Sequence, residues 1–101
     1  MKCIYCTFNV TIQETLLKKI TTEGIKSYQL FENVKAKPAF GNPRLDTAVW
    51  PGYNSSLFMQ FDDENQAKKL MHELKIMNKN ATSPKELITA CMLPIDAYFN
   101  D

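Results

Sequence analysis

Four residues in the stretch between the second and third predicted strands have the side chains needed to hold an anion. Lys35, Lys37 and Arg44 carry positive charge, and Gly41 would allow a ligand to approach the backbone closely. Ammonium and guanidinium groups bind phosphate and carboxylate well. A few cationic side chains are not specific, so the stretch predicts either a small-anion site or a solvated, partly mobile loop.

Two aromatic side chains outside this set could also do chemistry. Trp50, the only tryptophan, could stack on a ligand or anchor the loop against a neighbouring subunit, and we favour the subunit contact. His72 lies off the apolar stripe of a predicted helix and is the only histidine. A metal site needs three or four convergent ligands, so we predict an exposed histidine and no metal site.

The sequence gives little support for catalysis. It contains no nucleophile elbow, no metal-binding cluster and no glycine-rich phosphate loop. The adjacent carboxylates Asp62, Asp63 and Glu64 are explained by the start of a helix. We therefore predict a protein that is not an enzyme and has no catalytic residue, and the residues identify no cofactor.

The cysteines are expected to be free thiols. Cys3, Cys6 and Cys91 are odd in number, and the C-x-x-C pair falls on a predicted strand, where this spacing points the two side chains to opposite faces. A chain that goes straight into a strand, without the apolar core of a signal peptide, is expected in the cytoplasm.

Composition indicates an ordinary globular protein. The chain has 101 residues, enough for one domain that spans 1–101, with 45% hydrophobic residues, 23% charged residues and a net charge of +1. This charge balance offers no general attraction to nucleic acid or to an anionic membrane. We expect neither as a partner.

The hydrophobic pattern predicts the element order βαββαβ. Strands are expected over 2–9, 26–35, 47–61 (interrupted at Pro51-Gly52) and 86–93. The first helix is expected to start with a capping box from Thr11 to Glu14 and to end near Thr22 and Gly24. The second is expected to be capped by Asp62 or Asp63 and to end at 78–80. The stretch 35–46, with two prolines, is expected to be a loop of about a dozen residues, a length that is often functional.

Right-handed crossovers convert this order into an α+β ferredoxin-like plait, a four-stranded antiparallel sheet with two helices on one face. Strands one, three and four carry apolar residues on both sides, so the uncovered face should keep large apolar side chains. Such a patch usually marks an interface. We expect this face to pack against copies of the chain, with Phe58, Met59, Met92 and Trp50 as interface residues.

Several segments resemble the PII-like superfamily, which includes nitrogen regulatory PII proteins and CutA-like proteins. They are the opening strand 1–9, the run Thr47-Ala48-Val49-Trp50-Pro51-Gly52-Tyr53-Asn54-Ser55-Ser56-Leu57-Phe58, the helix start 62–64 and the ending Cys91-Met92-Leu93-Pro94-Ile95. The resemblance implies a homotrimer with inward-facing sheets. It also implies a nucleotide or other small anion bound between subunits beside the 35–54 loop, and a protein target reached through that loop.

The chain departs from this family at two points. Similar members carry histidines in a Pro-His…Thr-His-Val-Trp-Pro pattern, where this chain has Arg44 and Ala48, so a metal or catalytic role of those histidines does not carry over. The loop is also shorter than the long effector loop of nitrogen regulatory PII proteins, and no tyrosine or serine matches their modification site.

Two other functions fit the same order of elements. RNA recognition motifs are also βαββαβ and stack bases on strands one and three, where Tyr5 or Phe8 and Phe58 or Phe61 could serve. Asn54-Ser55-Ser56 stands where their basic-glycine signature would be, which makes RNA an unfavoured ligand. The third possibility is a structural interaction domain without any ligand.

Overall fold

The computed structural model describes residues 1–39 and 41–100 and contains the predicted plait. The strands are β1 (Lys2–Asn9), β2 (Gln29–Val34), β3 (Asn54–Phe61) and β4 (Thr89–Pro94), and the helices are α1 (Gln13–Thr22) and α2 (Glu64–Lys79). Single 3-10 turns, Val10–Ile12 and Pro84–Glu86, precede α1 and β4. The strands pair antiparallel in the order β2-β3-β1-β4. The prediction of an α+β ferredoxin-like plait is confirmed.

The two helices begin in different ways. The carboxylate of Asp63 accepts a hydrogen bond from the amide of Asn65 at 2.9 Å, as predicted for the cap of α2. The predicted capping box at Thr11 is wrong, because the side chain of Asn9 accepts the Thr11 amide at 3.0 Å and starts a 3-10 turn there.

In the described residues, no helix is long and apolar enough to span a bilayer.

Three strands are shorter or shifted relative to the sequence prediction. β3 begins at Asn54 because Pro51 has no amide proton and Gly52 has a φ of +85°, which turns the chain before the sheet starts. β2 covers Gln29–Val34 only, with a bulge near Asn33, whose φ is +60°. β4 starts at Thr89, since the 3-10 turn occupies Pro84–Glu86.

The core lies between the helices and one face of the sheet. Its fully buried members alternate along β1 and β3 and recur at helical spacing on α1 and α2: Ile4, Cys6, Phe8, Leu16, Ile20, Leu57, Met59, Phe61, Ala67, Leu70 and Leu74. Met59 is 0% exposed, and Met92, opposite Ile4, is partly buried against the same core. Both predicted interface residues therefore lie on the helix-covered face, because alternation along the strand fixes their side.

The other face of the sheet, which we call the open sheet face, lies opposite the core, and neither α1 nor α2 packs on it. Strand register places these side chains there: Cys3, Tyr5, Thr7, Gln29, Phe31, Ser56, Phe58, Gln60, Thr89, Cys91 and Leu93. None of these positions is charged, and Phe31 and Leu93 are 54% and 47% exposed. Phe58, a predicted interface residue, lies directly opposite Tyr5 near the centre of this face.

Candidate ligand-binding site

The connection from β2 to β3 is folded back on itself at the end of the sheet. Ala36 and Arg44 exchange two backbone hydrogen bonds, of 2.8 Å and 2.7 Å, which close the first half of the connection. Gly41 has a φ of +89°, and a Cβ built on it would lie 3.2 Å from the Cβ of Pro84. The glycine thus allows this loop to approach the turn before β4 closely.

The second half of the connection is a hydrogen-bonded turn that presents Trp50. The Trp50 carbonyl accepts the amides of Leu45 and Thr47 at 3.1 Å and 3.0 Å, and the Trp50 amide donates to Oγ1 of Thr47 at 2.9 Å. The amide of Asp46 donates to the carbonyl of Gly52 at 2.9 Å. The indole is therefore held on a fixed backbone although it is 39% exposed.

Arg44 is a buried cation. It is 7% exposed, and its Nη1 donates to Oδ1 of Asn54 at 2.8 Å, whose Nδ2 in turn donates to Oγ1 of Thr7 at 3.0 Å. No carboxylate of residues 1–39 and 41–100 forms an ion pair with it. Burial lowers the pKa of the guanidinium, which nevertheless stays protonated because its ordinary pKa is so high.

A buried charge is costly unless a charge of opposite sign compensates it. A guanidinium has five N–H donors, and the bond to Asn54 uses one. The arrangement is therefore suited to an anion that takes the place of the missing carboxylate.

Arg44 lies between two cavities and lines both. The first cavity, of about 720 Å³, is bordered by Asn9–Thr11, Gly41–Arg44, Val49–Gly52 and Ser83–Lys85. The second, of about 620 Å³, is bordered by Thr7, Ala36–Ala39, Arg44, Asn54, Asn78, Pro84 and Leu87–Ala90. The charged lining residues are Arg44 with Lys85 in the first and Arg44 with Lys37 in the second, all cationic.

The structure brings together most of the predicted anion-binding residues. Gly41 and Arg44 both line the first cavity, and Lys37 and Arg44 both line the second. Lys35 is exposed and lines neither cavity. Trp50 borders the first cavity.

Sequence reasoning missed two polar residues of the site, Asn54 and Lys85. Asn54 fell within the predicted third strand, 47–61, but nothing in the pattern indicated that its amide would hold Arg44. Lys85 follows a Ser-Pro start of a turn, and only the contact of Gly41 with Pro84 brings that turn to the loop. In the described residues, no three His, Cys, Asp or Glu side chains are grouped so as to hold a metal ion.

Comparison with known proteins yields a structural likeness only. No family model matches the sequence, and no curated protein matches it. The fold is similar to that of a putative PII-like signalling protein from Thermus thermophilus, with a TM-score of 0.63, 16% identity and coverage of 91% of this chain and 83% of that one.

The fold is also similar to that of CPII from Thiomonas intermedia, a nitrogen regulatory PII-like protein. In its complex with ADP and bicarbonate the TM-score is 0.68 at 10% identity, with coverage of 95% of this chain and 88% of that one. In its complex with ADP, AMP and bicarbonate the TM-score is 0.65 at 11% identity, with coverage of 91% and 90%. The chain therefore has the fold of the PII-like signalling proteins, as its sequence predicts.

Proposed function

We propose that the protein is a PII-like regulatory protein without catalytic activity, which assembles as a homotrimer in the cytoplasm and binds a small anion beside the 35–54 loop. The observation that carries this proposal is Arg44, a cation nine-tenths buried that has no ion-pair partner in the described residues and lines both cavities at the base of the loop. A resident protein carboxylate would be the usual partner of such a group, and a ligand would supply the same charge.

The ligand class follows from the cavities and from the similar proteins. The charged residues that line the two cavities in the described part of the chain are all cationic, and the ligands of CPII, which are ADP, AMP and bicarbonate, are all anions. In our proposal Arg44 binds the anion, Lys37 adds charge from the second cavity, and Gly41 lets the loop close over it. Lys35 has no part, since it faces neither cavity.

The homotrimer is supported by the open sheet face. Tyr5, Phe31, Phe58 and Leu93 lie there without cover and without a charged neighbour among the strand positions of that face. Burying each large apolar side chain is worth about 1.5–3 kcal/mol. Copies of the chain would bury these side chains on each other, and a neighbouring subunit beside Trp50 would then close the cleft at the loop.

The loop also offers a surface for a target protein. Val49, next to Trp50 in the turn, is 75% exposed. An anion that fixes Arg44 would hold both halves of the loop, since Arg44 also bonds to Ala36 and Asn54. A target that recognises the loop could in this way sense the ligand.

Two measurements on the unmodified protein test this proposal. Light scattering on a sizing column should give a mass of three times 11.6 kDa. Thermal unfolding with ADP, AMP or bicarbonate should show a higher Tm for at least one of them, since a ligand at 100 times its Kd adds about 2.7 kcal/mol of stability. A monomer that no anion stabilises would contradict the proposal.

An RNA-binding module remains the second candidate because Tyr5 and Phe58 are paired on the open sheet face, where an RNA recognition motif stacks bases. The other two aromatics considered, Phe8 and Phe61, are buried in the core. RNA binding would show as affinity that falls steeply with salt. A structural domain would show neither this behaviour nor stabilisation by an anion.

A further inference from the structure

The residues that line the first cavity include two chemically different groups. Arg44 and Lys85 are cationic, and Val49, Trp50 and Pro51 are apolar. We propose that this cavity binds a flat ring that carries one oxyanion, a carboxylate or a monophosphate, with the oxyanion on Arg44 and Lys85 and the ring against Trp50. This inference rests on the proposed function and specifies the ligand class of its site.

In this proposal Arg44 is the group that binds the oxyanion of the ligand. Its side chain is 7% exposed and is fastened by one bond to Asn54, so its remaining donors are fixed in direction before a ligand arrives. Arginine binds both carboxylate and phosphate through paired N–H donors. Lys85 is exposed, and among the described residues no carboxylate lines this cavity.

In this proposal Trp50 is the side chain against which the ring of the ligand packs. Its backbone is held by the hydrogen bonds to Leu45 and Thr47, while the indole stays partly exposed on the cavity wall. An indole in this setting can stack on a flat ring such as a nucleobase. The prolines at 43, 51 and 84 add rigid apolar surface around it.

The charge of the ligand follows from the charge of the cavity. Two cations balance one or two negative charges, as on a carboxylate or a monophosphate, whereas a triphosphate brings roughly twice as much charge. The volume of about 720 Å³ lies within the range of pockets that hold one small organic ligand. A ring with a single oxyanion satisfies both conditions.

Trp50 makes the proposal directly measurable, because the chain has no other tryptophan. Its fluorescence should change saturably on titration with AMP or with benzoate, and the tighter of the two identifies the oxyanion as phosphate or carboxylate. Adenosine has the ring without the oxyanion, and inorganic phosphate has the oxyanion without the ring. Each should bind at least about tenfold more weakly than AMP, since each lacks one contact worth about 1.4 kcal/mol or more. ATP should bind no more tightly than AMP.

Two variants and one control accompany the titration. Arg44→Gln should weaken binding by at least about tenfold, as expected for loss of a hydrogen-bonded charge. Lys85→Gln changes an exposed side chain, leaves the fold intact and should weaken binding less. Lys35→Gln, a lysine of the same loop outside both cavities, should leave the affinity unchanged.

Three results would overturn this inference: no fluorescence response to AMP or benzoate, tighter binding of ATP than of AMP, or equal affinity in Lys85→Gln and in the unmodified protein. If ADP or bicarbonate raises the Tm of the trimer while Trp50 fluorescence does not respond to any ring compound, only this inference fails. If no anion has any effect on Tm and the protein is monomeric, the proposed function fails as well.

Discussion

Nη1 of Arg44 donates a hydrogen bond to Oδ1 of Asn54 across 2.8 Å and thereby fastens the β2–β3 connection to the first residue of β3. Asn54 transmits this contact to the sheet, since its Nδ2 donates to Thr7 on the neighbouring strand. The side-chain amide of Asn54 thus orients Arg44, a charged group that lines both cavities. The site and the sheet are joined at this pair.

Replacement of Asn54 by alanine should lower the free energy of unfolding. Asn54 is 3% exposed, and its loss leaves the guanidinium of the buried Arg44 without its side-chain partner, at a cost of about 1–3 kcal/mol. Urea denaturation would measure this difference. Asn42→Ala, at an exposed position of the same loop, is the control and should change the midpoint little. Equal midpoints for the two variants would show that the Arg44–Asn54 bond does not support the fold.

Introduction of a charge on the open sheet face should dissociate the trimer. Phe58→Lys places an ammonium group next to Tyr5, where subunits are proposed to pack, and burying an unpaired charge there is unfavourable. Light scattering should then report a mass near 11.6 kDa. Ile76→Lys, at a position 36% exposed on α2, is the matched control and should leave the mass unchanged. The same mass for Phe58→Lys as for the unmodified protein would exclude this face as the interface.

Acid should weaken a charge cluster that joins the two helices. Nζ of Lys19 lies 3.3 Å from Glu23 and 3.0 Å from Glu73 on α2, and the bond to Lys19 lowers the pKa of Glu73 from its ordinary value of 4.5. A lowered carboxyl pKa gives stability that is present above 4.5 and is lost as pH falls through the lowered value. Glu73→Gln should therefore be less stable than the unmodified protein at neutral pH, and the difference should vanish in acid.

Urea midpoints at neutral and acidic pH would measure this effect, with Asp96→Asn as a control at an exposed position after β4. Added salt should also reduce the difference, because exposed ion pairs are screened. A difference between Glu73→Gln and the unmodified protein that stays constant down to low pH would contradict the assignment.

The thiols of Cys6 and Cys91 should react at very different rates. Burial raises the pKa of Cys6 to about 12, so it has almost no thiolate at neutral pH, while Cys91 is exposed on the edge strand β4. A thiol reagent should leave Cys6 unlabelled in the folded protein and should label Cys91 faster in Phe58→Lys, where the open sheet face is uncovered. Mass spectrometry of the labelled peptides would show this. Rapid labelling of Cys6 would contradict the burial of β1.

Much of the fold could be predicted from the sequence because it depends on local patterns. Alternation in β1 and the helical spacing of Leu16 and Ile20 are visible without coordinates, and they predict the plait that the structure contains. The side of the sheet on which Met59 lies could not be predicted, because both faces of β3 carry apolar residues and only packing against the helices decides between them.

Part of the site was also predictable from local sequence patterns. Arg44 and Gly41 stood out by residue type within a loop of functional length. Lys85 and Asn54 join them through the contact of Gly41 with Pro84 and the bond of Arg44 to Asn54, and pairings between residues far apart in the chain leave no local pattern. The burial of Arg44, on which the proposal of an anion site depends, is likewise a property of the folded chain.

The most direct test of the account is the thermal unfolding of the unmodified protein, Arg44→Gln and Lys35→Gln, each with and without ADP, AMP and bicarbonate. The account predicts that at least one anion raises the Tm of the unmodified protein and of Lys35→Gln equally, and that Arg44→Gln, which removes the guanidinium, loses this rise. An anion-induced rise in Tm that is undiminished in Arg44→Gln would contradict the central claim that Arg44 binds the ligand.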